Sequence, residues 1–102
     1  MKRQFRLIIN PFAELDLQSS VEFYELQKTG LGKDFIFEVE TTLKRIESNP
    51  QQFYQVKRNV RKAFIDKFPF GIFFYLKDDL ITVFAIFHFS RNPKKLSVRM
   101  KK

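Results

Sequence analysis

Apolar positions recur with a helical period in the first half of the chain and with a strand period in the second half. Residues 5–9 (Phe-Arg-Leu-Ile-Ile) alternate, which places Phe5, Leu7 and Ile9 on one face of a first strand. Asn10-Pro11 follows as a helix start, since Asn supplies a capping oxygen and Pro at the first helical position loses no needed donor. Glu14 and Asp16 then fall near the positive end of the helix dipole. Phe12, Leu15, Phe23 and Leu26 fall on one helical stripe, although Ser19-Ser20 weakens its middle. Gly30-Leu31-Gly32 breaks the pattern as a short connection. Phe35, Val39, Leu43 and Ile46 define a clearer second helix, which Asn49-Pro50 ends. Two helices joined by so short a loop are expected to lie antiparallel.

After residue 58 the period becomes 2. Val60–Ile65, Ile72–Lys77 and Leu80–Phe89 read as strands. The Phe68-Pro69-Phe70-Gly71 corner separates the first two, and an Asp78-Asp79 turn joins the last two as a hairpin. Strict alternation in the last strand sends Ile81, Val83, Ala85, Phe87 and Phe89 toward the helices, and Thr82, Phe84, Ile86 and His88 the other way. Both faces of these strands are apolar, and eight of the 14 Phe lie between residues 64 and 89. One layer of helices cannot cover them all, so the second face of the sheet needs the tail or another chain over it. Residues 91–102 form a basic tail that could close with a short extra strand. The order β-α-α-β-β-β predicts a single α+β domain over residues 1–102, a helical hairpin packed on a mainly antiparallel twisted sheet.

Composition narrows the class. A chain of 102 residues that is 44% hydrophobic and 17% aromatic is long enough for a core and too apolar for disorder. The absence of Cys excludes a disulfide scaffold, a zinc finger and a catalytic thiol, and suits a reducing compartment. No apolar run approaches a signal-peptide core or a membrane span, so a soluble cytoplasmic protein without membrane attachment is expected. The net charge of +8 is unevenly placed: residues 1–51 carry seven basic and eight acidic groups, residues 52–102 twelve and three. An anionic partner is therefore expected on the second half.

Few residues carry chemistry. Metal-free RNA cleavage needs an acid–base group and cations for the phosphate, and His88 is the only side chain whose ordinary pKa suits both acid and base work. Its alternative role is structural, capping the strand and bonding the turn around Asn92-Pro93. Lys57, Arg58, Arg61, Lys62 and Lys67 cluster on and around one strand, either to hold phosphates or to keep a sheet edge soluble. Arg61 and Lys62 alternate, so at most one points into any single site. Tyr75 reads as a buried ring with its hydroxyl at the sheet edge. No phosphate loop, metal-ligand cluster or nucleophile–base–acid set is visible, and no cofactor is expected.

Asn10-Pro11-Phe12-Ala13-Glu14-Leu15-Asp16-Leu17, the stop at Ile46–Pro50, Val60-Arg61-Lys62, Phe68-Pro69-Phe70-Gly71-Ile72-Phe73-Phe74-Tyr75, Ile81–Phe87 and a His88-x-x-Arg91-x-Pro93 element occur in order across almost the whole chain. This set resembles the RelE/ParE superfamily of toxins from bacterial type II toxin–antitoxin (plasmid stabilisation) systems. The resemblance implies a small basic toxin neutralised by an acidic, DNA-binding cognate antitoxin, with a toxin dimer or a hetero-oligomer both allowed. RelE-like members cut messenger RNA on the ribosome, whereas ParE-like members act on DNA gyrase. Gly71 stands where RelE-like nucleases commonly carry an Arg, and Phe89 follows His88 where a late Tyr is usual. Both departures favour a ParE-like gyrase inhibitor over a nuclease built on His88, Arg61 and Arg91, and the His-x-x-Arg-x-Pro element, similar to one in non-nuclease relatives, favours the structural role for His88. The resemblance places target contacts at Lys57, Arg58, Lys62, Lys67, Arg91, Lys94, Lys95 and Arg99, and antitoxin contacts at Leu15, Phe23, Arg61 and Phe84.

Overall fold

A computed structural model describes residues 4–91 and 93–100. The chain runs β1 (Arg6–Ile9), α1 (Pro11–Gln27), α2 (Leu31–Ser48), a 3-10 turn (Pro50–Gln52), β2 (Tyr54–Lys57), β3 (Val60–Phe64), β4 (Phe70–Lys77), β5 (Leu80–His88) and α3 (Pro93–Met100). The strands form one sheet in the order β1-β5-β4-β3-β2, with β1 parallel to β5 and the other neighbours antiparallel. The fold is α+β, with α1 and α2 on one face of a mixed sheet and α3 on the other.

Local chemistry sets the helical hairpin. Asn10 Oδ1 accepts the Ala13 N–H at 3.0 Å, and Pro11 opens α1 as its N-cap sequence predicts. At the joint, Gly30 has φ +92°, a conformation that favours glycine. The Glu25 carboxylate, near the end of α1, accepts the Gly30 N–H at 3.0 and 3.1 Å and the Gly32 N–H at 3.0 Å, so one helix caps the start of the next. Gly32 lies so close to α1 that a Cβ there would stand 2.9 Å from the Val21 carbonyl oxygen.

The α2 stripe is buried as expected: Phe35, Val39 and Ile46 are inaccessible and Leu43 is half-buried. The α1 stripe faces outward. Phe12, Leu15, Phe23 and Leu26 are exposed, with Leu26 at 87%, while Ala13, Asp16, Leu17, Val21 and Tyr24 face the sheet. Close approach of α1 to the sheet selects small Ala13 and a charge-paired Asp16, which leaves the larger side chains outside.

Two further expectations change. A short strand, β2, precedes Val60. Its Tyr-Gln-Val-Lys sequence is exposed at three of four positions and has no apolar alternation to reveal it. In β5 the pairings Phe73↔Ala85 and Phe74↔Val83 leave Phe84 as an extra residue, a β-bulge. A bulge inverts side-chain parity beyond it. Ile81, Val83 and Ile86 therefore join the helix-side core, and Phe84, Ala85 and Phe87 join the opposite core.

That opposite face is covered by the tail, which is the helix α3 and not a strand. Leu96 and Met100 pack on the cluster of Val60, Phe73, Phe84, Ala85 and Phe87. The Tyr75 hydroxyl donates to the Met100 carbonyl at 2.9 Å and anchors the helix C-terminus.

Candidate functional site

The bulge and the short β1 together create a polar centre. Parallel pairing of β1 with β5 ends at Ile9↔Val83, so beyond that point this edge of β5 has no strand beside it. Asp16, 5% exposed, fills the gap from α1: its Oδ2 accepts the Ile86 N–H at 3.0 Å. Arg99, reaching back from α3, closes the arrangement. Its Nη1 donates to Asp16 Oδ2 at 2.6 Å and to the Phe84 carbonyl at 3.0 Å, and its Nη2 donates to Asp16 Oδ1 at 3.0 Å. The Arg91 Nη1 lies 3.5 Å from Asp16 Oδ1. Both guanidinium groups stack on Phe87, at 4.2 Å for Arg91 and 4.6 Å for Arg99, and Arg99 also lies 5.4 Å from the Phe12 ring. A single carboxylate thus ties α1, the bulged strand and α3 together through charge-assisted bonds. Sequence reading placed Asp16 only at the positive end of the helix dipole. The available signal was an acid on the line of Ala13, Leu17, Val21 and Tyr24.

The expected target cations therefore divide. Arg99 and Arg91 are held by Asp16, so they do not form an open phosphate clamp. Arg61 donates to the Phe53 carbonyl at 2.8 Å and the Gln51 carbonyl at 3.3 Å, which commits it to the turn before β2. Lys67 pairs with Glu38 at 3.5 Å while remaining mostly exposed. Lys62 lies over the rings of Phe64 (4.9 Å) and Phe73 (5.7 Å), with its stem across Gly71, whose added Cβ would meet Lys62 Cδ at 3.3 Å. The lysine stem thus fills the space a side chain at 71 would occupy. Lys57 and Arg58 stand exposed at the β2–β3 turn, and Lys94 and Lys95 are exposed on α3.

His88 is on the helix side, not on the opposite face, because the bulge reverses its orientation. Its ring meets Phe70 edge-on at 5.2 Å and borders a shallow hollow of about 220 Å³ with Ser19, Ser20, Phe23 and Tyr24. Its Nδ1 accepts the Ser90 N–H at 2.9 Å and lies 2.8 Å from Ser90 Oγ, so it organises the turn after β5 through Ser90. Asn92, part of the expected turn contact, lies outside the described residues. Arg61 is not brought to His88. His88 is opposite Phe70 and Arg61 is opposite Phe74, about 13 Å along the sheet and two strands across. Lys62, His88 and Arg91 do border one cavity of about 160 Å³, beside the exposed rings of Phe64 and Phe89. Burial raises the hydroxyl pKa of Tyr24 and of Tyr75 above the ordinary 10.0, so both stay protonated at neutral pH.

Of the expected antitoxin contacts, Leu15 and Phe23 are exposed on the outer face of α1. Phe84 is not accessible: it is 2% exposed, stacked 4.6 Å from the Tyr75 ring in the core beneath α3. Among the described residues no group of three or more His, Cys, Asp or Glu could hold a metal, and no helix is long and apolar enough to cross a membrane.

No protein-family model and no curated protein matches this chain. A solved structure described as the chromosomal ParDE TA system from P. aeruginosa superposes with a TM-score of 0.74 at 17% identity, covering 83% of this chain and 96% of that one. The chain has the same fold, that of a ParE-like toxin.

Proposed function

We propose that this protein is the toxin of a type II toxin–antitoxin system, of ParE type, which inhibits DNA gyrase in the bacterial cytoplasm and is neutralised by a cognate antitoxin. The observation that carries the reading is the outward stripe of Phe12, Leu15, Phe23 and Leu26 on a fold shared with a ParDE structure. A chain of this size does not ordinarily leave four large apolar side chains on one helix face without a partner for them. An amphipathic segment of the antitoxin is suited to that face. The antitoxin's remaining part binds operator DNA, and the pair represses its own promoter. The separation of Arg61 from His88, and the pairing of Arg91 and Arg99 with Asp16, support a binding toxin over a nuclease.

The test is induction in cells with and without the adjacent small gene. Growth arrest relieved by that gene, with loss of DNA supercoiling preceding loss of translation, is the expected result. No arrest on induction of the intact chain refutes the reading. Leu15→Glu, an exposed substitution, should remain toxic and escape the antitoxin.

The second reading, a ribosome-dependent endoribonuclease, draws on the cavity shared by Lys62, His88 and Arg91. It predicts that His88→Ala loses toxicity without loss of stability, and that messenger RNA is cut within codons on induction.

A further inference from the structure

The outward stripe of α1 does not end at the helix. At its first turn Phe12, 54% exposed, continues into a groove of about 360 Å³ whose other wall is α3, lined by Lys95, Val98 and Arg99. The floor is apolar, since Phe12 and Val98 offer hydrocarbon and Arg99 stacks against Phe12 with its charge already met by Asp16. The rim is basic. Residues 93–100 contain three cations and no acid, and Lys95 stands at the edge of the groove. Val98 is exposed, although Leu96 and Met100 of the same helix pack on the sheet. The helix therefore has a covered face and an uncovered apolar one.

Resting on the toxin reading above, we infer that this groove receives an acidic, amphipathic segment of the antitoxin, continuous with the part that lies on Leu15 and Phe23. A branched apolar side chain seats between Phe12 and Val98, and a carboxylate pairs with Lys95. Apolar floor and cationic rim select this chemistry over a basic or purely polar peptide. The consequence concerns neutralisation. A segment bridging α1 and α3 clamps α3 onto the sheet and covers Lys95, so the antitoxin occludes a target-facing helix directly.

The experiment measures binding between the purified full-length chain and the product of the adjacent small gene. Val98→Asp should weaken binding at least about tenfold, because a carboxylate is then buried in the apolar seat. Lys95→Glu should weaken it by a smaller factor, with the loss concentrated at low salt. Lys77→Glu, at the far end of the sheet, is the control and should bind as the parent does. Unfolding midpoints equal to the parent's show that Val98→Asp and Lys95→Glu retain the fold. Parental affinity in Val98→Asp and Lys95→Glu overturns the inference while leaving the toxin reading intact, provided the antitoxin still relieves arrest. A self-associated chain whose dimer dissociates on Val98→Asp overturns it in favour of a second copy as occupant. If the adjacent gene's product neither binds nor relieves arrest, the toxin reading fails and the inference falls with it.

Discussion

Removing Asp16 should unpick the molecule at one point that three elements share. Asp16→Ala deletes the acceptor of the Ile86 N–H and leaves the Arg99 guanidinium, whose side chain is 18% exposed, without its carboxylate. Removing one partner from a buried ion pair costs about 3–5 kcal/mol. For a chain of this length about 3 kcal/mol lowers the melting midpoint by about 12 °C or more. That is a large share of the ~5–15 kcal/mol that holds a domain together. Arg99→Met removes the guanidinium that lies over Phe12 and Phe87 and strands Asp16 and the Phe84 carbonyl, so its cost should be similar. The double variant removes both partners of the Asp16–Arg99 pair. It still lacks partners for Ile86 N–H and Phe84 C=O, at about 1–3 kcal/mol each, so it should not return to parental stability. Urea unfolding of the four proteins closes a double-mutant cycle, and the coupling should be about 2 kcal/mol. Hydrogen exchange should show the Ile86 amide opening in Asp16→Ala. Additivity within about 0.5 kcal/mol, or a cost below about 1 kcal/mol for either single change, would refute the shared centre.

Two further outcomes follow from the packing. Tyr75→Phe removes the bond to the Met100 carbonyl and should cost about 0.5–1.5 kcal/mol, read as faster proteolysis after Lys94 and Lys95 in α3. Because burial raises the folded pKa of Tyr75 above 10.0, its contribution is fully present below that ordinary value and is lost as pH rises through the higher folded one. Urea midpoints of the parent should therefore fall more steeply above about pH 10 than those of Tyr75→Phe. Gly32→Ala places a Cβ 2.9 Å from the backbone oxygen of Val21 and should cost about 1–3 kcal/mol, whereas Gly71→Ala meets the flexible Lys62 stem at 3.3 Å and the Phe73 ring at an ordinary 3.5 Å and should cost under about 1 kcal/mol. Equal melting points for those two glycine variants would contradict the packing of the hairpin.

What the residue pattern reveals depends on how far each signal is local. Asn10-Pro11, the α2 stripe and the β4–β5 hairpin are decided within a few residues, and each is present as expected. The β-bulge is decided by a register between two strands, so alternation alone assigns Ala85, Phe87 and His88 to the wrong faces. α1 is ambiguous for a related reason. It carries two apolar stripes, and the sheet selects the one with Ala13 and Asp16, leaving the bulkier one outside. The tail has cations at Lys94, Lys95 and Arg99 that suggest a solvated strand or arm. Leu96 and Met100, at helical spacing, supply the apolar contact that folds it onto the sheet.

The same distinction redistributes the charge. Twelve cations in the second half suggested one basic surface, yet Arg61 serves backbone carbonyls, Arg91 and Arg99 serve Asp16, and Lys67 serves Glu38. The arginines, whose planar forks suit several acceptors at once, are drawn into the structure. Among the described residues, exposed lysines remain at separated places, including Lys57 by the β2–β3 turn and Lys95 on α3. The second of these borders exposed Phe12, the first large side chain of the outward α1 stripe. An acidic peptide lying along α1 therefore meets apolar surface for most of its length and a cation at its end. Such an interface should weaken modestly with salt, and far less steeply than phosphate binding by all twelve cations would.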